Sequence, residues 1–250
     1  MKPNLVRLVA ILVFVGLWEV LGRRVNQLFM SYPSAIVLGG IDLARSGELG
    51  RAFIDSMRTL LLGFLLASAV GIVIGLVMGR YRLLEYTFDW LINGLYATPL
   101  VAVIPLVILW LGLGFTAKLF IVFIITVFPV TINTYTGVRS VSQSLVDVGV
   151  AFVANERQIF VKIIVPAALP YIMAGLRLGI GRAIIGMVVA EFFTALGGLG
   201  AMIVKYGNSF RTDLLLVPVL LLMVLGVGLT ALLQAAEGAI APWKETERAQ

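Results

Sequence analysis

Long apolar runs separated by short charged segments are the main pattern along this chain. The apolar core of a bilayer is about 30 Å thick, and a helix needs about 20 mostly apolar residues to cross it. The alternation therefore predicts an all-α integral membrane protein with about six spanning helices. Their predicted ranges are 5–21, 57–79, 91–111, 115–138, 170–193 and 214–236.

Prolines and charges interrupt this pattern around the second and third predicted spans. Pro99 and Pro105 break the third span, and a broken helix is tolerated in a membrane where protein or a cavity satisfies the freed carbonyls. We therefore expect this span to face the protein interior. In the polar segment 23–55 the pattern after Pro33 predicts an interfacial helix, and 80–86 is expected to be a charged junction.

Small residues recur every four positions in two of the predicted spans. The second span carries such a stripe, and the fifth span carries a shorter one. Small side chains at helical spacing let another helix approach closely, so we expect both stripes to be packing faces. Their members are Gly63, Ala67, Gly71, Gly75 and Gly79, and then Gly175, Gly179 and Ala183.

Composition narrows the function classes. Charged residues make up 13% of the chain, against about 25% in a soluble domain. Histidine and cysteine are absent, which argues against imidazole or thiolate catalysis, disulfides and the commonest metal ligands. The net charge of +6 is scattered between apolar runs, where lipid headgroups explain it better than nucleic acid does.

The sequence also lacks the phosphate-binding pattern G-x-x-x-x-G-K-[ST] of ATP-hydrolysing subunits. We therefore expect no catalytic activity, metal or cofactor in this chain, and energy from a partner subunit or a gradient. A secondary transporter or channel and a membrane-embedded enzyme are the alternatives. No clear internal repeat favours the first, and no intramembrane pair of carboxylates favours the second.

A charged segment, 139–164, joins the fourth and fifth predicted spans. Leu145, Val148 and Phe152 lie on one face of a predicted short helix. A second helical stretch, 157–164, is expected to meet the first at Asn155. An exposed apolar face of this kind indicates a protein partner, or else a helix lying on the lipid surface.

The sequence "DVGVAFVANERQIFVKIIVPAALP" resembles the EAA loop of binding-protein-dependent ABC importer permeases of type I. Asp147, Val148 and Gly149 occupy the Glu-Ala-Ala positions, Val153 the glycine and Pro166 the later proline. The stretches "PSAIVLGGIDL" and "TPLVAVIPLVILWLGLG" also resemble the nitrate, sulfonate, taurine and bicarbonate branch of that family. The resemblance covers about residues 33–236.

The resemblance implies a permease fold with a cytoplasmic coupling helix that docks on an ATPase dimer. It also implies a second permease copy or a paralogue, a periplasmic solute-binding protein, and ATP with Mg²⁺ in the ATPase. The chain would be a multi-pass protein of the bacterial inner membrane with both termini cytoplasmic. The implied coupling residues are Asp147, Val148, Gly149, Phe152, Asn155, Glu156 and Arg157.

Two further expectations follow from the resemblance. The chain would divide into an N-terminal helix with a periplasmic interfacial segment (1–54), a permease core (55–237) and a cytoplasmic tail (238–250). Because valine replaces the family's glycine at Val153, we expect the corner between the two short helices to lie at Ala154 and Asn155 instead.

Ionisable groups inside the fifth span are candidates for the translocation passage, because such groups are costly in a membrane. Arg177 is close enough to the cytoplasmic end to reach the interface. Arg182 lies deeper, Glu191 lies near the opposite end of the span, and the two do not face each other within the helix. An interhelical contact is the alternative for each member of the candidate set Arg182, Glu191, Asn93, Thr98 and Asn133. Arg182 would suit an anion such as a sulfonate, nitrate, bicarbonate or organic carboxylate.

Overall fold

The computed structural model describes residues 3–26 and 28–240, and these residues are almost entirely helical. The helices are α1 (Pro3–Gly22), α2 (Pro33–Arg45), α3 (Glu48–Arg80), α4 (Arg82–Ala97), α5 (Ile104–Leu111), α6 (Phe115–Arg139), α7 (Gln143–Ala151), α8 (Glu156–Ile159), α9 (Val165–Thr194), α10 (Leu199–Asn208) and α11 (Thr212–Ile240). A 3-10 turn precedes α5, and a π turn joins α8 to α9. The predicted tail 238–250 lies almost wholly outside the described residues.

Within this part of the chain, five helices are long and apolar enough to cross a membrane, and a bent pair raises the number to six. The bent pair is the third predicted span, whose two arms meet at an angle of 84°. Pro99 lies at the break, as predicted, together with Thr98, whereas Pro105 lies in the first turn of α5, where proline is tolerated. The all-α membrane fold is thus confirmed.

Two predicted boundaries are wrong, and one helix was not predicted. The segment 80–86 is not a junction, because α4 begins at Arg82 and its acidic residues find partners on α6. The fifth predicted span, 170–193, does not start a helix at 170, since the helix runs without a break from Glu156 to Thr194. Helix α10 was not predicted at all, because its apolar stretch is too short to mark a span.

The described residues form two compact units, each built from two stretches of chain. One unit contains the residues up to Arg58 together with Glu191–Val224, and the other contains Thr59–Ala190 and the residues from Leu225 onward. The predicted division into 1–54, 55–237 and 238–250 remains a prediction.

Helix α6 is the packing centre of the second unit, and the glycine stripe of α3 lies against it. A Cβ atom added at Gly75 would come within 2.5 Å of the Thr134 Cβ, and one at Gly79 would come equally close to Val138. Real Cβ atoms do not approach this closely, so the backbones are in contact over several turns. The predicted packing role of this stripe is confirmed.

The glycine stripe of α9 packs on another face of α6. A Cβ at Gly175 would lie 2.8 Å from the Asn133 Cβ, and one at Gly179 would lie 3.0 Å from Val130. Ala183, the next member of the stripe, is fully buried. The second stripe is therefore also a packing face, and it is used within the chain.

The two arms of the broken third span are buried to different extents. Ile104 and Val107 of α5 pack in an apolar cluster with Ala117 and Ile121 of α6. Helix α4 buries none of its residues within the described chain. Within the single chain, α5 fits the expectation that this span faces the protein interior, whereas for α4 the expectation remains a prediction.

In the first unit, α2, α10 and the start of α11 share an apolar core. Its buried members are Ile36, Leu43, Ala52, Leu199, Met202, Tyr206, Leu214 and Val217. The helix predicted after Pro33 is α2, and its place at the membrane interface remains a prediction. At its start, the Glu19 carboxylate accepts a hydrogen bond from the Ser34 backbone N–H at 3.0 Å, which ties α1 to α2.

A buried carboxylate fixes the start of α10. Glu191 is fully buried and accepts hydrogen bonds from the Ser56 hydroxyl at 2.7 Å and from the Gly200 N–H at 2.8 Å. The Ser56 hydroxyl in turn accepts the Leu199 N–H at 2.8 Å. Gly198 has a φ of 96°, and a Cβ there would overlap the carboxylate. The carboxyl group therefore caps the N-terminal end of α10, where the helix dipole favours a hydrogen-bond acceptor.

A more exposed acid–base contact lies on the same helix. Lys205 donates to Glu48 at 2.7 Å, and this hydrogen bond raises the pKa of Lys205 above its usual value. The pKa of the neighbouring Tyr206 is also raised. Burial is the main cause, and a hydrogen bond to Glu48 raises this pKa further.

Replacing Gly75 with leucine should destabilise the second unit, because the side chain would collide with α6. Overpacking of this kind costs about 1–3 kcal/mol or more, so we expect a clear drop in the thermal unfolding temperature in detergent. Gly228→Leu is the matched control, since a Cβ at Gly228 meets nothing within 4 Å. Equal effects of the two substitutions would contradict the close packing of α3 on α6.

Replacing Glu191 with leucine should destabilise the first unit, because Ser56 and Gly200 lose a buried acceptor. Each unsatisfied buried group costs about 1–3 kcal/mol. The control is Glu48→Leu, which removes a partly exposed ion pair that is worth at most about 1 kcal/mol. Thermal unfolding compares the two variants, and a milder effect at Glu191 than at Glu48 would refute the structural role of the buried carboxylate.

Candidate functional site

The segment 143–164, which we call the coupling segment, contains the short helix α7, as predicted, followed by α8, which continues through the π turn into α9. Helix α7 ends in a pair of backbone hydrogen bonds, from the Ala154 N–H to the Gly149 carbonyl and from the Val153 N–H to the Val150 carbonyl. This pairing is a Schellman motif, in which one residue must adopt a left-handed conformation. That residue is Val153, with a φ of 54°.

The predicted corner at Ala154 and Asn155 is therefore wrong. Asn155 is extended, with φ −74° and ψ 163°, and its side chain accepts the Gln158 N–H at 2.9 Å. The Gln158 side chain accepts the Asn155 N–H in return, which completes a capping box at the start of α8. The turn stays at the position of the family's glycine, and the valine there carries strain of about 1–2 kcal/mol.

The outer face of the coupling segment is apolar and exposed. Leu145 and Val148 are about half exposed, whereas Phe152 is 83% and Val153 is 90% exposed. On the inner face, Gly149 is buried against α8 and the π turn, where a Cβ would lie 2.7 Å from the Ile163 Cδ1. The glycine therefore lets the two short helices close, and the large apolar groups point away from the chain.

Charged residues anchor the coupling segment at one end of α3. Glu156 forms an ion pair with Arg80, the last residue of α3, whereas Asp147 accepts a hydrogen bond from Gln143 within α7 at 3.0 Å. A groove of about 510 Å³ lies between the end of α3 and α8. It is lined by Val73, Leu76, Val77, Arg80, Tyr81, Glu156, Arg157 and Phe160.

Four of the five predicted passage residues lie in the second unit, on α4, α6, α9 and the break after α4. Arg182 is exposed, and its guanidinium carbon lies 5.8 Å from the centre of the Tyr96 ring. Asn93 and Thr98 are exposed, and Asn133 is half-buried. The Thr98 hydroxyl donates to the Gly94 carbonyl at 2.9 Å, immediately before the bend of the third span.

Two ionisable groups have partners that the sequence did not reveal. Glu191 is fully buried in the hydrogen-bond cluster at α10, so in this conformation it does not line a passage. Arg177 does not extend alone to the interface, because it forms an ion pair with Glu237 of α11 at 2.9 Å. A charge inside an apolar run signals a costly group but does not distinguish a passage from a cap or an ion pair.

Sequence analysis also missed the polar contacts between α4 and α6. Glu85 faces Arg139, and Asp89 faces Tyr135, each pair joining the two helices. The local signal was the spacing of these residues. Glu85 and Asp89 are four apart in one segment, and Tyr135 and Arg139 are four apart in another. Nothing in either segment alone indicated that the two would meet.

Comparisons with known proteins agree with this architecture. A family model described as "Binding-protein-dependent transport system inner membrane component" matches residues 67–244. The chain is 32% identical over 236 residues to a putative aliphatic sulfonates transport permease protein of Bacillus subtilis, covering 94% of this chain and 86% of that protein. It is 28% identical over 241 residues to a formylaminopyrimidine transport permease protein of Halalkalibacterium halodurans, with 94% of each covered.

A solved structure shows the same fold. The inward-facing MetNI methionine ABC transporter matches with a TM-score of 0.68 and 18% identity, over 80% of this chain and 97% of that one. The family match covers most of the chain, and the sulfonate permease aligns along nearly all of it, so the resemblance of the segment 139–164 is confirmed. The chain belongs to the binding-protein-dependent transport system inner membrane components, as a permease subunit of a type I ABC importer in the branch that includes sulfonate permeases.

Proposed function

We propose that the coupling segment docks on a cytoplasmic ABC ATPase dimer and carries its movement into the spanning helices. The observation that carries this proposal is the exposed apolar face of Leu145, Val148, Phe152 and Val153. A short helix with apolar anchors is a common mode of docking into a groove. Asp147, Glu156 and Arg157 flank this face with charges that can orient it.

The remaining partners follow from the family. A second permease copy, identical or paralogous, would complete the passage, and a periplasmic solute-binding protein would deliver the solute. ATP and Mg²⁺ would bind to the ATPase. With the coupling segment in the cytoplasm, an even number of spans would place both termini there as well, in the bacterial inner membrane. For the chain ends outside the described residues, only the side of the membrane is proposed, and it follows from the number of spans.

The proposed solute is a small anion, such as a sulfonate, nitrate, bicarbonate or organic carboxylate. Arg182 supports this choice because it is an exposed cation in a membrane-spanning helix, held beside an aromatic ring. Asn93, Thr98 and Asn133 supply neutral polar groups in the same unit. The similarity to a permease named for aliphatic sulfonates points in the same direction.

Replacing Phe152 with serine should weaken binding of the ATPase, because the docking face loses its largest apolar group. Burying such a side chain is worth about 1.5–3 kcal/mol, and we therefore expect at least about a tenfold loss of affinity. Binding to the purified ATPase subunit in detergent measures the change. Phe29→Ser is the matched control, since Phe29 is 77% exposed and lies outside the coupling segment.

The Phe152 experiment has two outcomes that would contradict docking through this face. One is an unchanged affinity of Phe152→Ser for the ATPase. The other is an equal loss for Phe29→Ser, which would show that the effect comes from general loss of exposed apolar surface.

Replacing Arg182 with glutamine should lower uptake of an anionic solute in the reconstituted transporter. Loss of a charge-assisted hydrogen bond costs about 1.5–3 kcal/mol, so we expect about a tenfold decrease or more, with partial recovery in Arg182→Lys. The solute is first identified by testing which of nitrate, alkanesulfonates, taurine, bicarbonate, carboxylates and a formylaminopyrimidine stimulates ATP hydrolysis with the binding protein present.

Arg177→Gln is the control for Arg182, because it removes a cation from the same helix that is paired with Glu237. We expect no loss of uptake per ATP hydrolysed in this variant. Stimulation by the neutral pyrimidine alone, or normal anion uptake by Arg182→Gln, would overturn the anion assignment.

A further inference from the structure

Helices α4 and α6 are joined by two polar contacts that lie one helical turn apart on both helices. Glu85 forms an ion pair with Arg139, and the Tyr135 hydroxyl donates to the Asp89 carboxylate at 2.5 Å. Asn93 extends the row, since its amide donates to Asp89 at 2.8 Å and to Tyr135 at 3.3 Å. Residues four apart lie on one face of a helix, so the two rows meet in register. We call this set the polar ladder.

The polar ladder holds α4 more specifically than apolar packing would. The side chains of Glu85 and Arg139 are only 25% and 27% exposed, and Tyr135 is buried. Sliding α4 along α6 would leave these charges without partners, which is costly in such surroundings. Apolar contacts are non-directional, so the packing of α5 on α6 sets no comparable limit on sliding.

The polar ladder also lies beside the coupling segment. Arg139 is the last residue of α6, and α7 begins at Gln143. The short connection is bonded back onto α6, because the Ser140 N–H donates to the Thr136 carbonyl and the Ser140 hydroxyl donates to the Gly137 carbonyl, both at 2.9 Å. A displacement of α7 therefore reaches the end of α6 that carries the ladder.

The other end of α4 leads directly to the bend of the third span. Thr98 is extended, with ψ 137°, and Pro99 has no N–H to continue the helix. Tyr96, in the last turn of α4, lies beside Arg182. If α4 follows α6 while α5 slides along α6, the angle at the bend changes and Tyr96 moves with α4.

We propose that the polar ladder transmits movement of the coupling segment through α6 to α4, and so sets the bend at Thr98 and Pro99. This inference rests on the proposed docking of the coupling segment on an ATPase. Glu85, Asp89, Tyr135 and Arg139 are positioning residues in this scheme. They act through α4 on the passage and need not touch the solute.

Charge reversal in the assembled transporter tests the polar ladder. The permease, its ATPase and the binding protein are reconstituted in liposomes, and solute uptake is measured per ATP hydrolysed. We expect Glu85→Arg and Arg139→Glu each to copurify with the ATPase and to hydrolyse ATP, with uptake per ATP about tenfold lower. The double variant, which restores an ion pair of opposite polarity, should recover at least about half of the wild-type ratio.

The matched control reverses another partly buried ion pair. The double variant Arg177→Glu with Glu237→Arg changes a contact between α9 and α11 and leaves α4 untouched. We expect its uptake per ATP to equal that of the wild type. A similar loss there would show that any disturbed ion pair uncouples transport, and the inference would fail.

Two conservative variants decide the question if the charge reversals do not assemble. Tyr135→Phe and Asp89→Asn weaken the second contact without introducing a new charge, and each should lower uptake per ATP about three- to tenfold. Normal ratios in both variants, or a double reversal no better than its single variants, would overturn the inference. Failure of the wild-type chain to bind any ATPase would instead refute the proposed docking.

Discussion

The close approach of α6 to the glycine stripes of α3 and α9 is the constraint on which the second unit depends. At Gly75, Gly79 and Gly175 a single added carbon would collide with α6. In a membrane no hydrophobic force drives helices together, and intimate van der Waals contact takes its place. These stripes therefore make α6 a helix that can move only together with the helices beside it.

This close packing makes α6 a rigid helix. The helix ends at Arg139 and leads into the coupling segment. If that segment docks as proposed, a force applied there would act on a packed helix and not on a flexible loop. The two arms of the broken third span also pack on α6, and they are held there by different kinds of contact. Apolar contacts hold α5, and directional polar contacts hold α4. When α6 moves, α4 can thus follow it, while α5 can slide against it.

The sequence predicted the features that depend on periodicity within one segment. The spans, the break at Pro99 and both glycine stripes follow from residues close together in the chain. The features that it missed depend on distant partners. Glu85 faces Arg139 on α6, and the buried Glu191 accepts an N–H that α10 brings to its carboxyl group. No local pattern distinguishes these acids from residues of a junction or a passage.

Val153 shows why a correct alignment can still lead to a wrong structural prediction. Because valine disfavours the left-handed conformation, the sequence predicted the corner at Ala154 and Asn155 instead. The hydrogen bonds that end α7 nevertheless fix the turn at Val153 and make Asn155 the cap of α8. The strain of about 1–2 kcal/mol is comparable with the 1.5–3 kcal/mol gained by burying such a side chain. Val153 is 90% exposed in the single chain, so docking of the coupling segment would supply the burial that offsets the strain.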